Sequence, residues 1–246
     1  MPLNAEQEWT LVSCGLLALA DRTLTGGEAA RLLSLVETYL DPEEQDLWMD
    51  LVCDKGALEA HFEHMRPPPL EAGLRLLEAV WNTALADGDA SLSEIRIFDR
   101  IGERLSIEKS QLAVHRKTWT YAAMERAEVI AGFVANLLHR GSRPTDDDRM
   151  SYEALIARLP LSKTRRDRML KSIDAPPTVE AIAEFLSRFE PKYQVETLRS
   201  IAHELLRTDR RAAARQQMAE VLAASNLPQS LLGDLPGFAK TDGVAS

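Results

Sequence analysis

Apolar residues recur every three or four positions along almost the whole chain. In the first half these apolar stripes are Leu11, Cys14, Leu17 and Ala18; Leu32, Leu35, Val36 and Tyr39; Leu74, Leu77, Trp81 and Leu85; and Phe98, Ile101 and Leu105. In the second half they are Ile130, Val134, Leu137 and Leu138; Tyr152, Leu155 and Leu159; Leu198, Ile201 and Leu205; and Met218, Val221 and Leu222. Such spacing places apolar side chains on one face of an α-helix, and no segment shows the period-two alternation of a strand. The pattern predicts an all-α fold without a sheet.

The helical pattern repeats at two offsets. At an offset of 66, residues 18–28 fall on residues 84–94, with Ala-Leu-Ala-Asp and a later Glu in common. At an offset of 120 the first half falls on the second, and the coinciding residues include Leu17 with Leu137, Leu35 with Leu155, and Leu85 with Leu205. A repeat carried this far is typical of an architecture built from duplicated units.

The nested repeat predicts four helix–loop–helix units arranged as two tandem helical domains. We expect the first domain over residues 1–122, the second over residues 123–232, and a flexible tail over residues 233–246, where Pro and Gly recur. Each domain is then near the common domain size. The helical pattern continues through Met124, so we expect one helix across the boundary.

Cap residues mark several of the predicted helix starts. Three segments match a capping box, in which a hydroxyl and an acid three residues later satisfy backbone N–H groups. They are Thr25 with Glu28, Ser91 with Glu94, and Thr145 with Asp148. Asp41, followed by Pro42, and Ser162 are the expected caps of a short helix in each half.

The net charge of −9 is unevenly distributed along the chain. Residues 1–120 hold 21 acidic and 11 basic residues, which gives −10, whereas residues 121–246 hold 17 and 18, which gives +1. An acidic first half disfavours nonspecific nucleic-acid binding because phosphates would be repelled. Cys14 and Cys53 lie in apolar helical patterns and are expected to be buried, reduced thiols of a cytoplasmic protein without a secretory signal or transmembrane segment.

Five acidic residues are candidate metal ligands: Asp21, Glu28, Asp87, Asp89 and Glu94. Glu28 and Glu94 are also explained by their capping boxes. Asp21 and Asp87 follow the end of a predicted helix, where the helix dipole disfavours an acid by up to about 1 kcal/mol. Either an Asx-turn or a divalent cation with oxygen ligands would compensate. The Asp87-Gly-Asp89 loop lacks the ligand ladder of an EF-hand.

The second half has lost most of these acids while keeping the helical pattern. At an offset of 120, the substitutions are Asp21 to Gly141, Asp87 to Arg207, Glu94 to Ala214 and Glu28 to Asp148. The fold therefore does not require the acids. Any metal-dependent role belongs to the first half.

The stretch Ala84–Glu94, followed by Phe98, Ile101, Leu105 and Ile107, resembles the signature segment of TerB-like domains. This family includes the bacterial tellurite-resistance protein TerB and relatives fused to J-domains and other stress modules. The resemblance covers residues 9–118 and, more weakly, residues 125–232. It implies an all-α domain made of two similar helical units. It also implies metal binding by the acids at Asp21, Glu28, Asp87 and Glu94.

Basic residues form two candidate partner-binding clusters in the second half. The first contains Arg165, Arg166, Arg168 and Lys171, and the second contains Arg207, Arg210, Arg211 and Arg215. A solvated helix face is the default interpretation, and an acidic protein or an anionic lipid would also fit. A nucleic-acid groove is disfavoured because no aromatic residues interleave with the cations. Trp48, Trp81 and Trp119 are expected in the core, whereas Trp9 is a candidate partner anchor.

No phosphate-binding loop, nucleophile elbow or Cys–His pair is present, so we expect no enzymatic activity. The sequence and the resemblance favour a non-enzymatic adaptor or scaffold that binds a protein partner in a bacterial stress-response or defence assembly of the tellurite-resistance type. The alternative is a divalent-metal-binding sensor that acts through the acidic loops of the first half. The expected cofactor is at most a divalent cation, and contact with a membrane surface would come through a partner.

Overall fold

The structure, a computed structural model, describes residues 3–20, 26–85, 90–140, 143–205 and 210–238, without the side chains of residues 26–28, 30, 31 and 34. Within these ranges the regular elements are helices and no strand occurs, which confirms the predicted all-α class. The helices are α1 (Ala5–Ala18), α2 (Gly26–Tyr39), α3 (Pro42–Cys53), α4 (Lys55–His64), α5 (Leu70–Ala84), α6 (Leu92–Arg104), α7 (Lys109–Leu138), α8 (Asp146–Arg158), α9 (Lys163–Ser172), α10 (Val179–Ser187), α11 (Pro191–Leu205), α12 (Arg211–Ala224) and α13 (Leu231–Asp234). Of the helices described, none combines the length and apolar character needed to cross a bilayer.

The chain divides into two compact units. Unit 1 comprises Met1–Ala123 and Arg158–Pro160, and unit 2 comprises Met124–Ala157 and Leu161–Ser246. The main division lies one residue beyond the predicted boundary at residue 122. It falls within α7, which runs uninterrupted past Met124.

Unit 1 is built around α1. All ten residues from Trp9 to Ala18 are buried, and α1 packs against α2, α3, α4, α5 and α6. A helix enclosed on all sides must be apolar on all sides, and no charged residue occurs in this stretch. Packing against α4 is close, because a Cβ added at Gly15 would lie 2.9 Å from Cδ2 of Leu58.

In unit 2 the C-terminal part of α7 is buried to a similar extent. Residues 129–135, Leu137 and Leu138 are buried. Two amides add polar contacts to this interior: Asn136 Nδ2 donates to the carbonyl of Pro177 at 2.8 Å, and Gln217 Nε2 donates to the carbonyl of Phe133 at 2.9 Å. Backbone carbonyls thus provide acceptors for polar groups that would otherwise destabilise a core.

The internal repeat is visible in the helix bounds. At an offset of 120, the end of α1 falls on the end of α7, the start of α2 on the start of α8, and the end of α6 on the end of α12. Buried positions coincide as well: Glu94, Phe98, Ile101 and Gly102 of α6 fall on Ala214, Met218, Val221 and Leu222 of α12. The two units therefore share one helix order and one pattern of buried positions.

The offset between the units is not constant along the chain. The buried positions coincide at 121 for α3 with α9, at 124 for α4 with α10, and at 121 for α5 with α11. Connecting segments of different length absorb these changes, since only Asp54 separates α3 from α4 whereas residues 173–178 separate α9 from α10. The buried pattern consequently aligns Ala84, rather than the predicted Leu85, with Leu205.

Helices α6 and α12 end in equivalent left-handed turns. Ser106 has a φ of 60° and Asn226 a φ of 55°. In both turns the next backbone N–H reaches back over the helix end, from Ile107 to Gly102 at 3.0 Å and from Leu227 to Leu222 at 2.9 Å. This is the Schellman motif, in which glycine usually takes the left-handed position. Its recurrence at an offset of 120 supports the duplication independently of the apolar pattern.

Two of the three predicted capping boxes are confirmed. The Ser91 hydroxyl accepts from the Glu94 N–H at 3.2 Å, and the Glu94 carboxylate accepts from the Ser91 N–H at 2.6 Å. In unit 2 the Thr145 hydroxyl accepts from the Asp148 N–H at 3.2 Å, and the Asp148 carboxylate accepts from the Thr145 N–H at 2.9 Å. Thr25 lies outside the described residues.

The two single-residue caps behave differently from the prediction. Asp41 and Ser162 do precede α3 and α9, but neither side chain accepts a hydrogen bond from the first helical turn. Pro42 at the first position of α3 fixes a helical φ by itself, so this helix begins without the cap bond.

Several side chains correct the sequence expectations. Trp9, a candidate partner anchor, is 1% exposed; its indole N–H donates to the carbonyl of Arg66 at 2.7 Å. Cys14 is buried as expected, but Cys53 is exposed because it lies at the last position of α3. Trp81 is buried in the core of unit 1, with Trp48 and Trp119 partly buried against it.

The C-terminal segment is packed further than predicted. The flexible tail was expected from residue 233, yet Leu235 and Phe238 are 3% and 4% exposed. Their apolar side chains extend the core of unit 2 to residue 238. Residues 239–246 lie outside the described part of the chain.

Candidate functional site

Most of the predicted metal ligands lie outside the part of the chain that the structure describes. Asp21, Asp87 and Asp89 fall in segments 21–25 and 86–89. Glu28 lies in α2 with its side chain undescribed. Among the described residues, no group of three or more His, Cys, Asp or Glu side chains could hold a metal ion. The predicted metal site therefore stays a prediction.

Glu94 is the one predicted ligand whose side chain is described. It is 7% exposed, and its carboxylate closes the capping box with Ser91 at the start of α6. An acid in the first turn of a helix is stabilised by the N–H groups and by the helix dipole. This contact gives Glu94 a structural role whether or not a cation binds nearby.

In unit 2 the corresponding loops meet at an arginine. Arg210 directly precedes α12, and its Nη2 donates to both carboxylate oxygens of Asp148 at 3.1 and 2.9 Å. Its Nη1 donates to the carbonyl of Leu138 at 3.3 Å. One guanidinium thus joins the end of α7, the start of α8 and the start of α12. Arg210, predicted as a partner contact, forms this internal connection instead.

The environment of Asp148 favours its charged form. Burial opposes ionisation, but the backbone N–H and hydroxyl of Thr145 and the Arg210 guanidinium together lower the pKa of Asp148 below its ordinary value of 3.8. The side chains of Arg210 and Asp148 are 29% and 17% exposed. A partly desolvated ion pair with several hydrogen bonds is stronger than an exposed one.

Helix α9 carries most of the first predicted basic cluster. It holds five cations and one acid, which gives +4, and none of its residues is buried. The residues concerned are Lys163, Arg165, Arg166, Arg168 and Lys171, with Asp167. Such a helix contributes little to a core.

The arginines of α9 are engaged within unit 2, whereas its lysines are exposed. Arg165 Nη1 lies 3.2 Å from Glu128 Oε1, and Arg168 contacts the same oxygen. Arg166 Nη2 donates to the carbonyl of Leu161 at 3.2 Å. Lys163 and Lys171 are exposed and form no ion pair with any described residue. We define the basic face as Lys163, Arg168 and Lys171, the exposed cations of α9.

The second predicted basic cluster does not form a comparable surface in the described part of the chain. Arg210 is directed inward to Asp148, and Arg211 is exposed at the first position of α12. Arg215 is half-buried. Arg207 lies outside the described residues, so its placement is untested.

The helix of unit 1 that corresponds to α9 has the opposite charge. Helix α3 holds Glu43, Glu44, Asp46 and Asp50 and no cation, which gives −4. At an offset of 121, positions 42, 43, 46, 47, 50 and 53 of α3 and positions 163, 164, 167, 168, 171 and 174 at α9 are all exposed. We define the acidic face as Glu43, Asp46 and Asp50, which surround Leu47, a leucine that is 72% exposed.

The sequence reasoning missed a cluster of arginines on α6. Arg100 and Arg104 both contact Glu63 of α4, and their guanidinium carbons lie 5.4 and 4.9 Å from the centre of the Phe62 ring. Arg104 Nη2 also donates to the carbonyl of Met65 at 2.8 Å. These contacts join α6 to the end of α4. The partners lie about forty residues apart, beyond the reach of helical spacing rules.

A groove of about 690 Å³ opens in unit 2 at the start of α10. Its charged lining is paired internally: Arg140 contacts Glu220, and His139 Nε2 lies 2.5 Å from the carbonyl oxygen of Ile173. The Arg140 hydrogen bond lowers the pKa of Glu220 below its ordinary value. The Thr178 hydroxyl accepts from the first turn of α10. The polar groups of this groove therefore have structural partners.

No known protein family, curated protein or solved structure matches this chain. The resemblance of residues 9–118 to TerB-like domains therefore stays a prediction from the sequence.

Proposed function

We propose that this protein is a non-enzymatic adaptor that binds an acidic protein partner through the basic face of α9. The observation that carries the proposal is the combination of a +4 helix without a buried residue and two exposed lysines, Lys163 and Lys171, without an ion-pair partner in the described chain. The TerB-like resemblance adds the setting, a bacterial stress-response or defence assembly.

The chemistry of the basic face suits protein recognition. Exposed cations steer an oppositely charged partner and increase its association rate more than they increase affinity. Arg165 and Arg168 are held by Glu128, so α9 presents its lysines from a fixed helix. A rigid helix face loses little conformational entropy when a partner binds.

Affinity capture from cells of the source organism would test the adaptor function. The bait would be the full chain, and the variant would carry Lys163→Glu and Lys171→Glu. We expect the variant to lose the acidic proteins that the wild type retains. Arg199→Glu, a single charge reversal at another exposed position of unit 2, is the control and should keep them. Equal capture by all three proteins would contradict the proposal.

The second candidate function is a divalent-cation sensor in unit 1, favoured by the position of Arg210 in unit 2. There a guanidinium joins the α7–α8 and α11–α12 loops through Asp148. At an offset of 120, the counterparts in unit 1 are Ala90 and Glu28, so the arginine is missing where the acids are more numerous. A divalent cation held by oxygen ligands would supply the missing positive charge.

Thermal unfolding with added cations would test the sensor function. A bound cation at about 100 times its dissociation constant should raise stability by about 2.7 kcal/mol. Asp87→Asn should abolish this gain, and Asp209→Asn, which changes the unit 2 counterpart of Asp89 at an offset of 120, should not. A melting temperature unchanged by calcium, magnesium, manganese and zinc would favour the Asx-turn interpretation of Asp87.

A further inference from the structure

The most informative surface feature is the opposite charge of α3 and α9. The two helices occupy equivalent positions in their units, because their exposed and buried positions agree one by one at an offset of 121. Yet α3 has a charge of −4 and α9 a charge of +4. A helix face that is exposed to solvent requires neither a net positive nor a net negative charge. The contrast places two complementary surfaces on every copy of the chain.

We propose that copies of this protein associate head to tail, with the acidic face of one copy on the basic face of the next. The two helices are of similar length, about 18 and 15 Å at 1.5 Å per residue, so their charges can pair along one contact. Leu47, 72% exposed within the acidic face, supplies apolar area at the centre of that contact. This inference deepens the proposed adaptor function, because it identifies a second copy as a partner of α9.

Two arrangements are compatible with this contact. In a two-fold dimer, α3 of each copy binds α9 of the other and both faces are occupied, whereas a one-way contact leaves one face free on each copy and produces rings or open chains. Because the attraction is between exposed charges, it should weaken as salt shortens the screening length.

Sedimentation velocity of the full chain at increasing protein concentration would test self-association. At about 50 mM salt we expect the mean mass to rise with concentration to that of a dimer or a larger species. At about 500 mM salt, where the Debye length falls to about 4 Å, we expect the monomer. A monomer at every concentration at low salt would overturn the inference.

Two neutralised variants make the test specific for the two faces. One carries Lys163→Gln and Lys171→Gln, and the other carries Glu43→Gln, Asp46→Asn and Asp50→Asn. All five side chains are exposed and form no hydrogen bond or ion pair with a described residue, so both variants should fold normally. Each variant alone should remain a monomer.

An equimolar mixture of the two variants should form a one-to-one dimer and no larger species. The first variant keeps its acidic face and the second keeps its basic face, so one contact forms and chain growth stops. Control variants Arg199→Gln and Glu37→Gln change exposed charges elsewhere and should associate like the wild type. Association of either face variant alone, or an absence of dimer in the mixture, would overturn the inference.

The outcome separates this inference from the adaptor function. If the chain is monomeric but capture of acidic proteins still requires Lys163 and Lys171, the adaptor function stands and self-association falls. If the chain self-associates through both faces but captures no other protein, the basic face serves assembly only. Binding of nucleic acid at this face without self-association would contradict both.

Discussion

At the scale of single residues, the capping box at the start of α6 is the clearest case in which sequence spacing determines a contact. Ser91 and Glu94 exchange two hydrogen bonds, and Glu94 is buried while doing so. The spacing of three residues suffices to predict the pair, because both partners lie within one helical turn.

Replacing Ser91 by alanine tests this contact. Ser91→Ala removes the acceptor of the Glu94 N–H and should lower the free energy of unfolding by about 1 kcal/mol. Thr145→Ala removes the equivalent bond in unit 2 and should have a similar effect. Urea denaturation measures both changes. A stability equal to the wild type within about 0.3 kcal/mol would show that neither cap stabilises its helix.

The pKa of Asp148 leads to a prediction about pH. Because the pKa of the folded state lies below the ordinary value of 3.8, the charged carboxylate stabilises the folded protein above that value. This stabilisation is lost as the pH falls from 3.8 through the lower folded pKa. Asp148→Asn should therefore destabilise unit 2 at neutral pH and reduce the loss of stability in this acid range.

Unfolding monitored at pH 7 and through the acid range would measure that effect. The control is Asp147→Asn, which removes an exposed carboxylate one residue away. The control should keep the pH dependence of the wild type. An equal pH dependence in wild type and Asp148→Asn would show that the Arg210 contact does not stabilise the folded state.

The same residues show where sequence reasoning stops. Thr145 with Asp148 was predictable from spacing, but the Arg210 contact with Asp148 joins residues 62 positions apart. Nothing in the local pattern distinguishes an arginine directed inward from one in solvent. Local spacing therefore does not separate Arg210 from an arginine that faces a partner, nor the buried Trp9 from a surface anchor.

At the scale of elements, the turns that end α6 and α12 carry an unusual residue choice. Ser106 and Asn226 adopt positive φ values, a conformation that costs most residues roughly 1–2 kcal/mol and costs asparagine less. Glycine avoids this steric cost but loses more backbone entropy on folding. The difference between the steric cost relieved and the backbone entropy lost should favour a glycine substitution at Ser106 more than at Asn226.

Glycine substitutions at both turns test this balance. Ser106→Gly should raise the free energy of unfolding by about 0.5–1 kcal/mol, and Asn226→Gly should change it by less. Ser106→Ala provides the matched control, because alanine keeps the steric cost and gains no turn hydrogen bond. Thermal unfolding of the three variants gives the order. A destabilised Ser106→Gly would mean that the serine side chain contributes to the turn.

Element positions followed from the sequence better than the register between units. Apolar stripes such as Leu32, Leu35 and Val36 identified the helices because each stripe repeats within one element. The register depends on connector length, and the connectors differ: the α9–α10 segment is longer than the α3–α4 segment. Apolar periodicity carries no information about the number of residues in a loop, so the sequence matches Leu85 with Leu205, one residue out of register.

At the scale of the whole molecule, the duplication has kept the helices and changed the surfaces. Residues 9–18 of α1 and residues 129–138 of α7 are both central and almost entirely buried. By contrast, α3 and α9 share exposure and differ in charge. Burial restricts which residues a position accepts, whereas an exposed position accepts many. We therefore expect functional residues at exposed positions that are equivalent in the two units but carry different residue types.

Because each unit has its own core around its own central helix, we expect perturbations of the two units to be local and additive. Ser91→Ala should increase amide hydrogen exchange in α5 and α6 of unit 1, and Asp148→Asn should increase it in α8 and α12 of unit 2. Mutations without shared partners usually add within about 0.3–0.5 kcal/mol. The double variant should therefore lose the sum of the two single losses in the free energy of unfolding.

Hydrogen exchange with mass spectrometry locates each effect, and calorimetry measures the sum. Two results would contradict this expectation: increased exchange in both units after either single change, or a deviation from additivity of more than about 1 kcal/mol. Either result would show that the units unfold as one cooperative body. Helix α7, which belongs to both units, would then transmit the perturbation.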